Sequence, residues 1–302
     1  MPICMITNKL VYNFHPKYLE ITVTMARQYS ARWAFNTKLW EPTEQEILKA
    51  TTLMQNEEKE RIAKFVFIND AKSSMIGRLM IRKYIQKATK LSNKDVHLNR
   101  DSHGKPVLSG REHTGPYFNI SHQGDYVVLA GDVVNNVGID VMKIEPPLNK
   151  DIKEFFRLMT RQLSTSEWAK IRSYNTELSQ IASFYRFWCL KESYVKNIGV
   201  GITVKLSDIS FTTKTELSLG NVVNDSVLHD KGYLKADWMF EESLLDTKHV
   251  VAAAIQIKEK LDLEANKYVF VKFKDLVEDL EALCDEDVEF KDGFLKKERK
   301  LH

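Results

Sequence analysis

YVVLAGDVVNNVGIDVMKI, residues Tyr126–Ile144, contains two apolar runs, Tyr126–Gly131 and Asn136–Ile144, joined through the turn-prone residues Asp132 to Asn136. Both runs are rich in β-branched and aromatic residues and read as strands. So short a connection predicts an antiparallel hairpin. It disfavours a doubly wound parallel sheet, whose strands need long crossovers. Upstream, Arg32–Trp40 reads as an aromatic-rich strand, and Pro42-Thr43 opens a helix. Residues 57–87 are helical in character, with acids at the start and bases at the end. Met75, Ile76, Leu79, Met80 and Ile85 recur there at three- and four-residue steps, and Asn69-Asp70 is a candidate break.

Downstream, helices dominate residues 152–198. Ser166–Trp168 resembles a helix start, and the strongest helix, QIASFYRFWCLKESYVKNI, ends at Gly199. Strands follow in LSDISFTT, VLHDKGYLKADWMFEES and HVVAAAIQI. Helices followed by antiparallel strands, twice over, give an α+β class. The expected division is an N-terminal extension over 1–30, α+β halves over 31–135 and 136–257, and a charged C-terminal extension over 258–302. Within that extension KYVFVKF reads as a strand, DLVEDLEAL as a helix and KKERK as a solvated tail.

The chain has 302 residues, and its 15 Phe, 11 Tyr and 5 Trp supply enough apolar bulk to exclude wholesale disorder. A net charge of +3 is too small to argue for nucleic acid. Three widely spaced cysteines, Cys4, Cys189 and Cys284, disfavour a zinc site or disulfide framework and fit a reducing compartment. No apolar run approaches membrane-span length, and the N-terminus lacks the pattern of a secretory signal. The expectation is a cytosolic protein with no membrane or nucleic-acid partner.

Four segments carry residues fit for chemistry. Asp140 interrupts an apolar strand, and an unpaired carboxylate there needs a cation, a metal or water; a strand-end turn or salt bridge would satisfy it equally. Trp188, Glu192 and Lys196 fall at four-residue steps on one helical face, where a Glu–Lys pair commonly only stabilises the helix. Asn119, Ser121 and His122 precede a buried strand, a place suited either to phosphate binding or to a capped turn. His103–Pro106, after Arg100, is a glycine turn carrying Lys105.

Taken in order, F-N-I-S-H (118–122), V-G-I-D-V (137–141) and F-W-x-L-K-E-S-Y-x-K-x-x-G-x-G (187–201) resemble the 4′-phosphopantetheinyl transferases of the larger monomeric type, the animal members in particular. Residues 57–83, GKPVL and the helix through Lys191 add to this resemblance, which spans roughly residues 30–257. It implies transfer of the phosphopantetheine arm of coenzyme A to a serine of an apo carrier protein, with release of adenosine 3′,5′-bisphosphate. The implied fold is two similar α+β halves with the coenzyme between them.

The resemblance also implies a magnesium ion, with manganese as a substitute, held by Asp140 and Glu192. Many relatives carry a second acid where this chain has Met142, a soft ligand; water or the amide oxygen of Gln123 is then the third ligand. Glu192 is the implied general base, directly or through water, and Lys196 steadies the phosphoryl charge. Lys191 is a further candidate for the phosphates. Coenzyme contacts fall on Arg61, Arg100, Gly104, Lys105, Asn119, Ile120, Ser121 and His122, together with Asp140, Glu192 and Lys196. Arg78 and Arg82 read as surface or interface charges; with Lys83 they are candidates for steering an acidic carrier. Two other readings use the same residues: a metal-dependent phosphodiesterase acting on coenzyme A, and a non-catalytic carrier-binding scaffold.

Overall fold

The computed structural model describes residues 30–111, 114–147, 151–199, 204–258 and 265–299. The expectations for residues 1–29 and for the glycine loop beyond Gly199 lie outside them. The protein is α+β: two three- or four-stranded sheets lie back to back, each with its long helix on the outer face. The first sheet contains β1 (Ala31–Asn36), β4 (Tyr117–Gln123), β5 (Tyr126–Asp132) and β12 (Val269–Phe270), in the order β12-β1-β5-β4. The second contains β6 (Asn136–Lys143), β10 (Trp238–Asp246) and β11 (His249–Gln256), in the order β10-β11-β6 and antiparallel throughout. Ala34, Val128 and Ala130 of the first sheet pack against Ile139, Val141, Val251 and Ala253 of the second.

β5 and β6 do not form the expected hairpin. Both edges of β5 are occupied, by β1 and by β4, so β6 must leave the sheet and begin the second one. Asp132 directs the exit: its Oδ1 accepts the N–H groups of Val134 and Asn135, each at 2.8 Å. The antiparallel hairpin is β4–β5 instead. Its turn requires Gly124, which has φ +60° and where a Cβ would stand 2.4 Å from His249 Nε2.

In the first half, α1 (Glu44–Thr52) starts in a capping box. Thr43 Oγ1 accepts from Glu46 N (3.2 Å), and Glu46 Oε2 accepts from Thr43 N (2.9 Å). The helical stretch over 57–87 resolves into α2 (Asn56–Ala63) and α3 (Ile68–Thr89). The break precedes Asn69-Asp70, because Phe67 is extended and the Ile68 N–H is taken by Glu298 O (2.8 Å). α3 buries Met75, Ile76, Leu79 and Met80 on the first sheet. Between α3 and β4 a small hairpin, β2 (Leu98–Arg100) and β3 (Pro106–Leu108), projects.

The second half contains α4 (Ile152–Leu158), α5 (Thr165–Arg172), α6 (Glu177–Ile198) and a small sheet of β7 (Ile209–Thr212), β8 (Val227–Asp230) and β9 (Tyr233–Leu234). α5 is capped by Ser164 rather than Ser166, since the box partner three residues on is Glu167. α6 ends as its sequence predicts, at Gly199 with φ +70°.

The charged C-terminal segment folds back on the first half, and the described residues of its KKERK end are largely exposed. β12 adds in parallel to β1, α7 (Phe273–Val277) stacks Phe273 on Trp40 at 5.3 Å, and α8 (Val288–Leu295) buries Phe294. Even within KKERK, Lys297 Nζ donates to Ala63 O (2.8 Å) and Phe65 O (2.5 Å). Phe273, Leu276, Leu280 and Phe294 of this segment finish the core of the first half. A buried ion pair ties the halves together: Arg32 Nε of β1 meets Glu241 Oε2 of β10 at 2.5 Å. Asn266 and Tyr268 of the returning segment also bind Glu241.

Candidate active site

β4 and β6 meet edge to edge through side chains. The outward alternation of β4 presents Asn119, Ser121 and Gln123 to β6. Asn119 Oδ1 accepts from Ile139 N (2.9 Å), Ser121 Oγ donates to Asp140 Oδ1 (2.8 Å), and Gln123 Oε1 accepts from Lys143 N (2.5 Å). The F-N-I-S-H segment is therefore the seam between the halves. Ile120 and His122 lie on the opposite face of β4, His122 being exposed.

Gly138 sets the approach of α6 to that seam. A Cβ there would lie 2.1 Å from Ser193 O and 2.5 Å from Asn197 N, so helix and strand touch backbone to backbone. Asn197 Nδ2 locks the crossing by donating to Asn136 O and Ala254 O. One turn before Asn197 on α6 comes Ser193, and two residues after Gly138 on β6 comes Asp140. Glu192 and Lys196 thus arrive beside Asp140. Lys196 Nζ donates to Asp140 Oδ1 (2.6 Å) and to Ser121 Oγ (2.7 Å).

The satisfaction of this cluster is incomplete. Asp140 is 5% exposed, and its Oδ2 has no hydrogen-bond partner among the described residues. Burial, reinforced by the Asp140 charge and opposed by Lys196, holds the Glu192 carboxyl above its ordinary pKa. A buried acceptor oxygen with no donor, next to a second acid, is the environment a hard cation stabilises. The described residues contain no cluster of three or more His, Cys, Asp or Glu that would enclose an ion by themselves. Two carboxylates are nevertheless a fitting set for magnesium, which usually keeps waters and takes the remaining ligands from substrate phosphate.

Glu192 and Lys196 border a cavity of about 800 Å³ with walls from both halves. The first half contributes His103, Gly104, Lys105, Asn119 and Ile120; the second contributes Trp188 and Leu206. The 101–105 turn is rigid: Asp101 Oδ1 accepts from His103 N and Lys105 N at 2.9 Å each, and Gly104 has φ +80°. Burial lowers the Lys105 pKa, against the field of Asp101, so its ammonium gains by meeting an anion. Arg61 and Arg100 lie outside this lining and converge on Glu57 (3.8 and 3.4 Å). Arg100 also reaches the turn, donating to Gly104 O at 2.7 Å.

Three expectations for basic residues fail. Lys191 is fully buried: its Nζ meets Glu167 Oε2 (2.8 Å) and donates to Leu206 O and Ile209 O, so it cannot also reach coenzyme phosphates. Arg82 is buried with Glu58 (2.7 Å), Gln55 and Asn93, and Lys83 is buried with its ammonium on the Glu278 carbonyl. Neither can form a surface patch. Arg161 and Gln162, which border the cavity, carried no motif by which the sequence could mark them.

Comparison with known proteins gives the family. Residues 38–134 match the model described as 4′-phosphopantetheinyl transferase, N-terminal, and residues 136–254 match the 4′-phosphopantetheinyl transferase superfamily. An L-aminoadipate-semialdehyde dehydrogenase-phosphopantetheinyl transferase of Mus musculus is 40% identical over 279 residues, covering 87% of this chain and 90% of the relative. Its Xenopus laevis counterpart is 38% identical over 283 residues, 89% and 93% of the two chains. A phosphopantetheinyl transferase of Thraustochytrium is 34% identical over 230 residues, 74% and 77%. With both halves matched and the relatives covered almost end to end, the chain belongs to the 4′-phosphopantetheinyl transferase superfamily.

Proposed function

We propose that the protein transfers the 4′-phosphopantetheine arm of coenzyme A to a serine of apo carrier proteins, releasing adenosine 3′,5′-bisphosphate. The observation that carries this reading is one cavity whose 103–105 turn comes from one half and whose Glu192 and Lys196 come from the other. In this reading Lys105, held on the 101–105 turn, binds coenzyme phosphates through charge-assisted bonds. Arg61 and Arg100, gathered at Glu57, take a second phosphate at the rim, and His122 donates to a phosphate from the Ile120 face. Ser121 fixes Asp140, and Lys196 offsets negative charge growing on the phosphoryl oxygens. Glu192 accepts the proton of the acceptor serine, directly or through a water.

Asp140 Oδ2 and Glu192 are the residues we assign to a magnesium ion. Bound there, the ion neutralises diphosphate charge. Gln123 Oε1 accepts from Lys143 N, and water or the remaining lone pair of that oxygen takes the third position. We place the enzyme in the cytosol as a monomer: the described cysteines, Cys189 and Cys284, are free thiols, and one chain completes the cavity. No described helix is long and apolar enough to cross a membrane.

The test is the mass of an apo acyl carrier protein after incubation with the enzyme, coenzyme A and magnesium. The reading predicts a gain of one phosphopantetheine arm. Coenzyme cleavage with an unmodified carrier would instead indicate a phosphodiesterase, and binding without turnover a scaffold.

A further inference from the structure

Ser121 meets Asp140 in the middle of the seam between β4 and β6, so whatever fixes the two ends of that seam fixes the groups between them. The Asn119 end is held by α6, through Gly138 and Asn197. The Gln123 end is held by a residue that does not border the cavity, His249, the first residue of β11. His249 is fully buried, and both nitrogens of its ring need partners there. Both have one. Nδ1 meets Asp246 Oδ1 at 2.9 Å and Oδ2 at 3.1 Å, and Nε2 meets the Asp125 N–H at 3.2 Å. A carboxylate only accepts and a backbone N–H only donates. The partners therefore fix the tautomer, with the hydrogen on Nδ1 and the lone pair on Nε2.

The bond to Asp125 crosses from the second half to the β4–β5 turn of the first. On its other side the turn is tied to its own half, since the Asp125 carbonyl accepts from Thr37 N (2.8 Å) and Thr37 Oγ1 (3.1 Å). The Tyr126 ring makes a T-shaped contact with the imidazole, centroids 4.9 Å apart. His249 also stands opposite Lys143 in the β6–β11 ladder, and Lys143 N donates to Gln123 Oε1. A loop of contacts closes, from His249 to Lys143, to Gln123, through the turn and back to His249. Two residues before Gln123, on the same face of β4, Ser121 must meet Asp140 Oδ1 (2.8 Å) and Lys196 Nζ (2.7 Å) at once.

We infer that His249 is a positioning residue for the transfer reaction: backed by Asp246, it fastens the β4–β5 turn to the second half and so keeps Ser121 on Asp140 and Lys196. The inference rests on the transferase reading above and adds to it a residue outside the cavity. A side chain that fills the same space without the two nitrogens leaves the turn unfastened and β4 free to shift along β6. Such shifts matter because a misplacement of about 1 Å costs about 10²-fold in rate.

The experiment follows two readouts in wild type, His249→Phe, His249→Asn and His249→Gln: transfer to an apo acyl carrier protein, and hydrogen exchange of the peptide that contains the β4–β5 turn. Phe keeps a ring against Tyr126 and loses both bonds. Asn supplies a donor for Asp246 but, being short, no acceptor for Asp125. Gln places an acceptor oxygen near the position of Nε2. His249→Phe should lower kcat by about 10- to 100-fold, leave the KM for the carrier unchanged and speed exchange at the turn. Gln should recover most of the lost rate and protection and Asn little of either, an order that a merely structural role would not give. Should His249→Phe not fold, the comparison of Asn with Gln decides the same question. Wild-type kcat in Asn, with only the melting temperature lowered, overturns the assignment and makes His249 a packing residue. A lowered kcat with unchanged exchange at the turn overturns it too. A wild type that leaves the carrier unmodified overturns the transferase reading, and with it the reaction that His249 serves.

Discussion

Lys191 and Glu192 are neighbours on α6, yet they belong to two different kinds of region. Lys191 points into the second-half core, where Glu167 and two carbonyls use its whole ammonium. Arg82 with Glu58 and Arg32 with Glu241 are likewise paired inside the chain, although Arg32 Nη2 and Glu58 Oε1 are left without a partner among the described residues. Glu192 points into the cavity beside Asp140, whose Oδ2 lacks any donor. Buried charge that is paired within the chain holds the fold together. At Asp140 the missing partner lies next to cavity-lining Glu192 and Lys196, where a group from outside can supply it.

Substitutions can break this contrast. The largest effect is expected at the open region: Glu192→Gln should lower transfer by about 10²–10⁴-fold while thermal unfolding stays where it is in the wild type. Transfer at the wild-type rate would remove Glu192 from the chemistry. In the closed region the signature reverses. Lys191→Met strands Glu167 in the core and should cost about 3–5 kcal/mol in urea unfolding; a cost near zero would mean that the pair is not an essential part of the packing.

Between the two regions lies Gly138, where helix and strand touch. Gly138→Ala forces a methyl against Ser193 O and Asn197 N and should cost about 1–3 kcal/mol. Because the crossing also positions Lys196 and Glu192, coenzyme affinity should fall along with stability, which calorimetric titration would show.

The smallest effect concerns the returning C-terminal segment. Lys59 donates to Asp287 at 2.8 Å, and the Phe290 N–H adds a second bond; together they depress the Asp287 pKa. A depressed carboxylate stabilises the fold above its unfolded pKa, and that stability is lost as pH falls through the folded value. Asp287→Asn keeps the α8 cap but removes the charge, so it should cost less than about 1 kcal/mol at neutral pH. The gap from wild type should close on acidification; a constant gap down to the acid limit would show that the charge plays no part.

What the sequence revealed follows the same division. Asp140 and the Trp188–Glu192–Lys196 face were legible because strand and helix periods are local. Gly138 could be read as a motif letter, although its reason, a backbone contact across 55 residues of chain, is tertiary. The direction of Lys191 was not legible, because its partner Glu167 lies on another helix. Arg82 and Lys83 looked like surface charge for the same reason: their partners, Glu58 and the Glu278 carbonyl, are remote in sequence. The 126–144 stretch gave strands correctly and pairing wrongly, since only the occupied edges of β5 decide where β6 goes. Arg161 has no motif at all; its significance comes from the cavity alone.

The central claim is that Asp140 and Glu192, one from a strand and one from a helix, serve a single ion. Manganese binding followed by electron paramagnetic resonance in the presence of coenzyme A tests it most directly. One ion per chain in the wild type, lost in both Asp140→Asn and Glu192→Gln while coenzyme A still binds, is the result this account predicts. Undiminished manganese binding in either variant would contradict it.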